Sequence, residues 1–363
     1  MNKKIILLGI TLFSMFFGAG NLIFAPFLGA QSGSSLWLAL GGMLITSVIM
    51  PISAICIIAP YKTAANMIGR LSKPFAMIFM TMIYLLIGPC IAIPRTASTA
   101  LEMWSWLIPD NWISIAAVFL FFGVAYLMAV RPGKLKDILG KIMGPILLVL
   151  ILFVCVPLLF TSGDVVAASN IYANQPFMTG LNEGYQTMDI LAAFCFGILI
   201  TVNIQKMQIK NEQKALISSA LVAGVLLASV YTLLAFVSSS HSALLQPLPN
   251  GAQILSTAAQ MTWGSLGQIL CGLIFLIACL NVCSGLLACC SEYFAETFPR
   301  VSYKIWLILF AIAGAVTACT GLDAILSWSG TLLSWICPIA VLILVIALIL
   351  SLRDRRKASN ASH

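Results

Sequence analysis

Phe17-Gly18-Ala19-Gly20-Asn21-Leu22-Ile23-Phe24-Ala25-Pro26 interrupts, near its middle, an apolar run long enough to cross a membrane. In hydrocarbon an unpaired backbone N–H or C=O costs several kcal/mol. Irregular backbone at half depth therefore survives only inside protein or against a hydrated cavity. Two glycines, an amide side chain and a nearby proline predict an unwound turn that serves a ligand.

The flanking sequence sets the class. The 363 residues are 61% hydrophobic and 8% charged, with a mean hydropathy of +1.05; a soluble domain of this size cannot hide so much apolar surface. The chain reads as an all-α polytopic membrane protein. Its formal net charge of +8 does not indicate nucleic acid, because the basic residues sit in short turns between apolar runs and form no patch with interleaved aromatics. With about 20 residues needed per crossing, the sequence predicts about ten transmembrane helices. They are Lys4 to Leu28, Leu36 to Ala59, Phe75 to Ala97, Trp112 to Val130, Ile138 to Phe160, Tyr185 to Ile204, Ala215 to Val237, Leu266 to Leu287, Tyr303 to Thr320 and Ala324 to Leu352. The last is overlong and carries Pro338, which predicts a tilt or kink.

Lys and Arg in short loops stay on the cytoplasmic side. With the N-terminus inside, the partition puts Lys3, Lys4, Lys62, Arg70, Lys73, Arg131, Lys134, Lys136, Lys141, Lys206, Lys210, Lys214, Arg300, Lys304, Arg353, Arg355, Arg356 and Lys357 inside, and only Arg95 outside. A wrong span count would invert every later loop, so this asymmetry predicts an even number of spans and two cytoplasmic termini. Trp37, Trp104, Trp106, Trp112, Trp263 and Trp328 fall near outer ends, as in an interfacial belt. Lys3-Lys4 before an apolar run resembles a secretory signal, but the run is too long, is interrupted, and is followed by more membrane protein.

The connections repeat a rhythm. Short loops follow the first and sixth spans, longer connections the second and seventh, and tight turns the fourth and ninth, which is the mark of two inverted five-span halves. The expected organisation is 1–160 for the first half, 161–184 for an extracellular connection, 185–352 for the second half and 353–363 for a basic cytoplasmic tail. Such a repeat predicts a broken sixth span, and Phe196-Gly197 offers a break at the appropriate depth.

Several blocks together resemble a known family. Phe16-Phe17-Gly18-Ala19-Gly20-Asn21-Leu22-Ile23-Phe24, Ile87-Gly88-Pro89 with Ala92-Ile93-Pro94-Arg95-Thr96-Ala97, Glu183-Gly184-Tyr185 with Thr187-Met188-Asp189, and Ala288-Cys289-Cys290-Ser291-Glu292-Tyr293-Phe294 look like the bacterial branched-chain amino acid:cation symporters. The resemblance runs from the first span to the tenth. It implies the leucine-transporter-like fold of the APC superfamily, a five-plus-five inverted repeat with the first and sixth helices broken. It also implies sodium- or proton-coupled uptake of leucine, isoleucine and valine across the bacterial inner membrane, with no cofactor beyond the coupling ion. Family members commonly carry two further spans, whereas this sequence has Arg353-Asp354-Arg355-Arg356-Lys357 just after the tenth.

A zwitterionic substrate at the midplane must have both charges met. The half-helix starting near Asn21 offers free N–H groups and its dipole to a carboxylate; free carbonyls near Phe17 and near Phe196 offer themselves to an ammonium and a cation. The expected substrate site is therefore Phe17, Gly18, Ala19, Gly20, Asn21, Phe194, Phe196 and Gly197, with Leu22 as further apolar wall. Glycine at 18 and 20 admits the ligand and permits unusual dihedrals. Each phenylalanine taken singly also fits ordinary packing. By the resemblance, the coupling cation, Na+ where it is a metal ion, meets the carbonyls of Ser14 and Phe17 and the side chains of Asn281 and Ser284; Asn281 fits an interhelical hydrogen bond as well.

Asp189 is the only acidic residue well inside a predicted span, and such a residue is a functional hypothesis by default. It has four readings: a cation ligand, a proton relay, an outer gate with Arg95, or a first-turn carboxylate wetted from outside. His241 falls in an outer loop and reads as solvated. The cysteines, mostly within apolar spans, read as small packing residues and not as transition-metal ligands. No phosphate loop or catalytic triad is visible, so an enzyme is not expected. Two other functions fit the same features: a same-fold symporter of another small solute, and a sensor that binds an amino acid without moving it. The expected partners are a small substrate, a monovalent cation and the bilayer, and no nucleic acid.

Overall fold

The computed structural model describes residues 3–108, 112–131, 135, 137–161, 163–196 and 211–360, with backbone alone for the last ten. Among them every regular element is a helix and there is no strand. Helix α1 (Lys3–Phe16) ends where α2 (Ala19–Ser32) begins, and a 3-10 turn, Gly33–Ser35, leads directly into α3 (Leu36–Leu44). α4 (Met50–Ile58) and α5 (Ala64–Gly69) follow, then α6 (Lys73–Leu85), α7 (Ala92–Glu102), α8 (Trp112–Ala129) and α9 (Gly144–Leu158). Short α10 (Asn170–Asn174) precedes α11 (Pro176–Gln186) and α12 (189–196). The rest is α13 (Glu212–Ser240), α14 (Ser242–Leu245), α15 (Gly251–Trp263), α16 (Ser265–Thr297), α17 (Tyr303–Ala318) and α18 (Leu322–Asn360).

Local chemistry sets several starts. Ser72 accepts the Phe75 N–H ahead of Pro74, and Asn211 accepts the Lys214 N–H at 3.0 Å. Asn250 does the same for Gln253 at 2.9 Å; each side chain satisfies a donor that the first turn leaves orphaned. Three helices pass through π-helical segments, Ile45–Ile49, Leu86–Cys90 and Leu139–Met143. Such segments often mark functional positions.

Among the described residues seven helical runs are long and apolar enough to cross a membrane: Ala19–Tyr61, Lys73–Glu102, Trp112–Ala129, Leu139–Leu158, Glu212–Ser240, Ser265–Thr297 and Leu322–Leu350. Their burial orders them. The apolar stretch of Ser265–Thr297 is 78% buried against 28% for Trp112–Ala129, so α16 is the centre and α8 presents Leu120 and Leu127 outward, as lipid contact requires. Around α16 pack α7, α8, α15 and α17, while α13 lies against both α1 and α2.

Several expectations change. Lys73–Leu85, Leu86–Cys90 and Ala92–Glu102 continue past the expected end at Ala97, so Arg95, expected at the outer end of its span, lies in the first turn of α7 and is buried, 3% exposed. The helix expected to start at Tyr185 begins at Pro176, across the expected boundary at 184–185. His241 is buried, with its ring nitrogens 2.9 Å from Thr161 Oγ1 and 3.0 Å from the Val237 carbonyl, because the connection around Gly163 folds back over it.

Candidate functional site

The first break is where the sequence puts it. α1 stops at Phe16, Gly18 is extended at φ −141° and ψ −153°, and α2 starts at Ala19. These dihedrals suit any residue, so glycine is needed there for room: a Cβ on Gly18 would run into Val282. Gly20 has the same function, since its Cβ would lie 2.6 Å from Arg95 Nη2 and 3.1 Å from Thr187 Cα.

The second break lies elsewhere than expected. α11 ends at Gln186, Thr187 and Met188 are non-helical, and α12 restarts at Asp189. The turn depends on Met188, whose φ of 64° is uncommon for a residue with a side chain. Phe196 is helical and buried, and Gly197 is outside the described residues. The expectation at Phe196-Gly197 followed the glycine; the chain unwinds instead at two residues that carry side chains.

Asn21 joins the two breaks. Its Oδ1 accepts the Gly18 N–H at 3.0 Å, and its Nδ2 donates to Asp189 Oδ2 at 2.9 Å. Tyr231 of α13 donates its hydroxyl to the same Oδ2 at 2.8 Å. With donor and acceptor on opposite sides, this network admits one orientation of the amide. Arg95 Nη1 donates to the Gln186 carbonyl at 2.9 Å, tying α7 to the last residue before the second break. The guanidinium lies 5.7 Å from the Phe24 ring centre, a cation–π distance. Arg95 and Asp189 make no ion pair with each other or with any other described residue.

These groups enclose a cavity of about 30 Å³ walled by Gly18, Asn21, Arg95, Asp189, Phe16 and Phe196, with Val282 and Leu286 of α16. That is room for a water, well below the several hundred Å³ of small-molecule sites. The conformation is therefore closed around its centre. Phe16 and Phe196 meet edge to face at 5.1 Å. Phe17 turns away to stack on Phe13 at 5.3 Å, and Phe194 packs on Phe79 at 6.1 Å; both are fully buried core. Leu22 is likewise fully buried, and Ala19 and Gly20 line the cavity.

Below this, α1 meets α16 through a bond from Asn281 Nδ2 to Ser14 Oγ at 2.6 Å. Asn281 Oδ1 is buried without a hydrogen-bond partner. Ser284 Oγ donates to the Asn281 carbonyl at 3.1 Å, and a helix that stops at Phe16 leaves its last carbonyls without intrahelical donors. All this is an oxygen-rich spot with one unmet acceptor, the chemistry a hard cation needs.

Sequence reasoning missed Tyr231, Phe16 and Met188, and set Arg95 nearer the outer end of its span than the structure does. The one available signal for Tyr231 was a phenol in the middle of an apolar span.

Comparison with known proteins places this geometry. The sequence profile described as branched-chain amino acid transport protein matches residues 1–362. The chain is 36% identical to the branched-chain amino acid permease BraB of Bacillus subtilis (strain 168), over 96% of this chain and 80% of that one. It is 38% identical to the permease BrnQ of the same organism, over 94% and 81%. Among solved structures it is similar to MhsT in complex with L-phenylalanine, at TM-score 0.62 and 16% identity over 94% of this chain and 98% of that one. It is also similar to Mhp1 in a closed conformation with bromovinylhydantoin bound, at 0.61 and 14% over 94% and 77%. At these identities the two structures speak for the fold alone, which is leucine-transporter-like.

Proposed function

Because this chain belongs to the family of branched-chain amino acid transport proteins, a multi-pass membrane family and not one of enzymes, we propose that it is a secondary active transporter. It carries leucine, isoleucine and valine inward together with Na+ or H+, by alternating access, across the plasma membrane of a bacterium. One observation carries the reading. Two interrupted helices, Lys3–Ser32 and 176–196, meet at their breaks around one cavity and are joined there by the Asn21–Asp189 hydrogen bond. Backbone opened inside a membrane is stable only within protein or against a hydrated cavity, and two openings that face one cavity favour a ligand there.

The matching breaks support an inverted repeat of five plus five spans, with α11 and α12 as the two parts of the sixth. The distribution of basic residues supports cytoplasmic termini. A pocket walled by Phe16, Phe196, Val282 and Leu286 discriminates aliphatic side chains by fit. One methylene is worth about 1–3 kcal/mol there, so overlapping transport of the three substrates follows. Opening the closed cavity by movement of the half-helices provides access from each side in turn.

The coupling cation fits Ser14, Asn281, Ser284 and the Phe17 carbonyl, on the evidence of the unmet Asn281 Oδ1. It supplies the driving force, about 2.3 kcal/mol per charge at 100 mV. Asn281→Ala is expected to raise the sodium concentration for half-maximal uptake roughly tenfold, with leucine KM unchanged at saturating sodium; an ion titration of uptake checks this.

The function is tested by radiolabelled leucine uptake into proteoliposomes under a sodium gradient or a proton gradient imposed separately. Accumulation under one gradient, competed by isoleucine and valine, is the expected result and names the ion. Saturable binding without accumulation under either gradient would identify a sensor instead, and accumulation of a different solute a symporter of other specificity.

A further inference from the structure

Two opposite charges are buried on the wall of one cavity, close enough to attract each other but with no direct ion pair between them or with any other described residue. Arg95 is 3% exposed, and its Nε has no hydrogen-bond partner. Its contacts are the Gln186 carbonyl and the face of Phe24. Asp189 is 2% exposed and is held by neutral groups alone, Asn21 and Tyr231 on Oδ2 and the Thr187 side chain beside it; a carboxylate offers about four acceptor sites, so these do not fill it. Charges buried in protein are ordinarily paired, because an unpaired one has lost its hydration for nothing. A helix N-terminus accounts in part for Asp189, which opens α12. It cannot account for Arg95, which sits inside α7.

From this we propose that the substrate itself completes the pairing, with Arg95 taking the carboxylate of a zwitterionic α-amino acid and Asp189 its ammonium. The assignment rests on the transport function above. Both residues reach the cavity together with Gly18, Gly20 and Phe196, so a ligand there spans the two charges while its side chain meets the apolar wall. The Asn21 side chain is occupied on both sides by Gly18 and Asp189 and positions the acid, while the N–H groups that open α2 lie on the same cavity wall as Arg95. Gly20 leaves the room through which the guanidinium approaches the first break. Selectivity follows: an amine without a carboxylate leaves Arg95 unpaired, and a carboxylic acid without an amine leaves Asp189 unpaired, so the site rejects both in favour of zwitterions.

The test measures binding of leucine, 3-methylbutylamine and 4-methylpentanoate to the purified protein by calorimetry, with thermal melting as the check of folding. Arg95→Gln is expected to weaken leucine at least about 30-fold while improving the amine relative to wild type; Asp189→Asn is expected to weaken leucine similarly while improving the acid. Arg95→Lys and Asp189→Glu keep the charge and are expected to lose clearly less leucine affinity than the neutral variants, Arg95→Lys the more of the two because lysine lacks the planar fork that stacks on Phe24. Unchanged leucine binding in the neutral variants overturns the assignment. So does an equal loss for leucine and the single-charge analogue, or an equal loss in conservative and neutral variants. Those outcomes leave the transport function standing when wild type binds leucine. Wild-type protein that binds no branched-chain amino acid overturns the function, and this assignment with it.

Discussion

Asn21→Ala is expected to lower leucine accumulation by at least about 100-fold in protein that still folds. The substitution removes one small side chain but two interactions. The Gly18 N–H loses its acceptor and Asp189 loses one of its donors, both in a buried site. An unmet buried donor costs about 1–3 kcal/mol and a charged group more. Two such losses exceed the 2.8 kcal/mol or so that correspond to 100-fold. The global fold has less at stake, because α1 and α2 each remain packed along α13. Asn21→Asp separates the two interactions: it keeps an acceptor for Gly18 but sets a second carboxylate against Asp189, and it is expected to be no better than alanine. Uptake assays beside thermal melting check both variants. Near-normal uptake by Asn21→Ala would show that transport does not depend on the junction between the breaks.

Gly180→Val is expected to lower the melting temperature by about 5 °C or more and to reduce uptake with it. α11 packs on α3 along a strip of small residues. A Cβ at Gly180 would fall on the Ala39 carbonyl, one at Gly184 on the Thr46 hydroxyl, and one at Gly42 on the Phe177 carbonyl. Without a hydrophobic force between helices in lipid, such close backbone approach is itself the source of association. Backbone cannot swing aside as a side-chain tip can, so a valine has to separate the helices. Overpacking costs about 1–3 kcal/mol, and more where the obstacle is backbone; at about 2–4 °C per kcal/mol the shift is large enough to measure. Because α11 carries Gln186 and leads into Met188 and Asp189, its displacement moves Arg95's anchor and the acid together. A control at Gly123, which has open space around it, is expected to melt as wild type does.

Composition by itself determined that this chain crosses a membrane many times, because apolar surface on this scale has no soluble hiding place. The run from Phe17 to Pro26 determined the first break, since glycine and asparagine stand out against apolar neighbours and irregular backbone there needs a reason. The second break left no such mark. The glycines of its segment, Gly180 and Gly184, are used for helix packing, and the turn falls on Thr187 and Met188, held open by contacts from α2 and α7 that are distant in sequence. Arg95 was hard to place for a related reason: hydropathy ends its span at Ala97, just past the charge, and only the packed bundle shows the helix continuing to Glu102 with Arg95 on the cavity wall. Tyr231 and Asp189 are 42 residues apart in the chain and 2.8 Å apart in space. Local pattern decides which segments enter the membrane, because entry depends on each segment's own transfer energy. Which buried polar groups meet is a property of the assembled helices, because each one's partner lies on another helix.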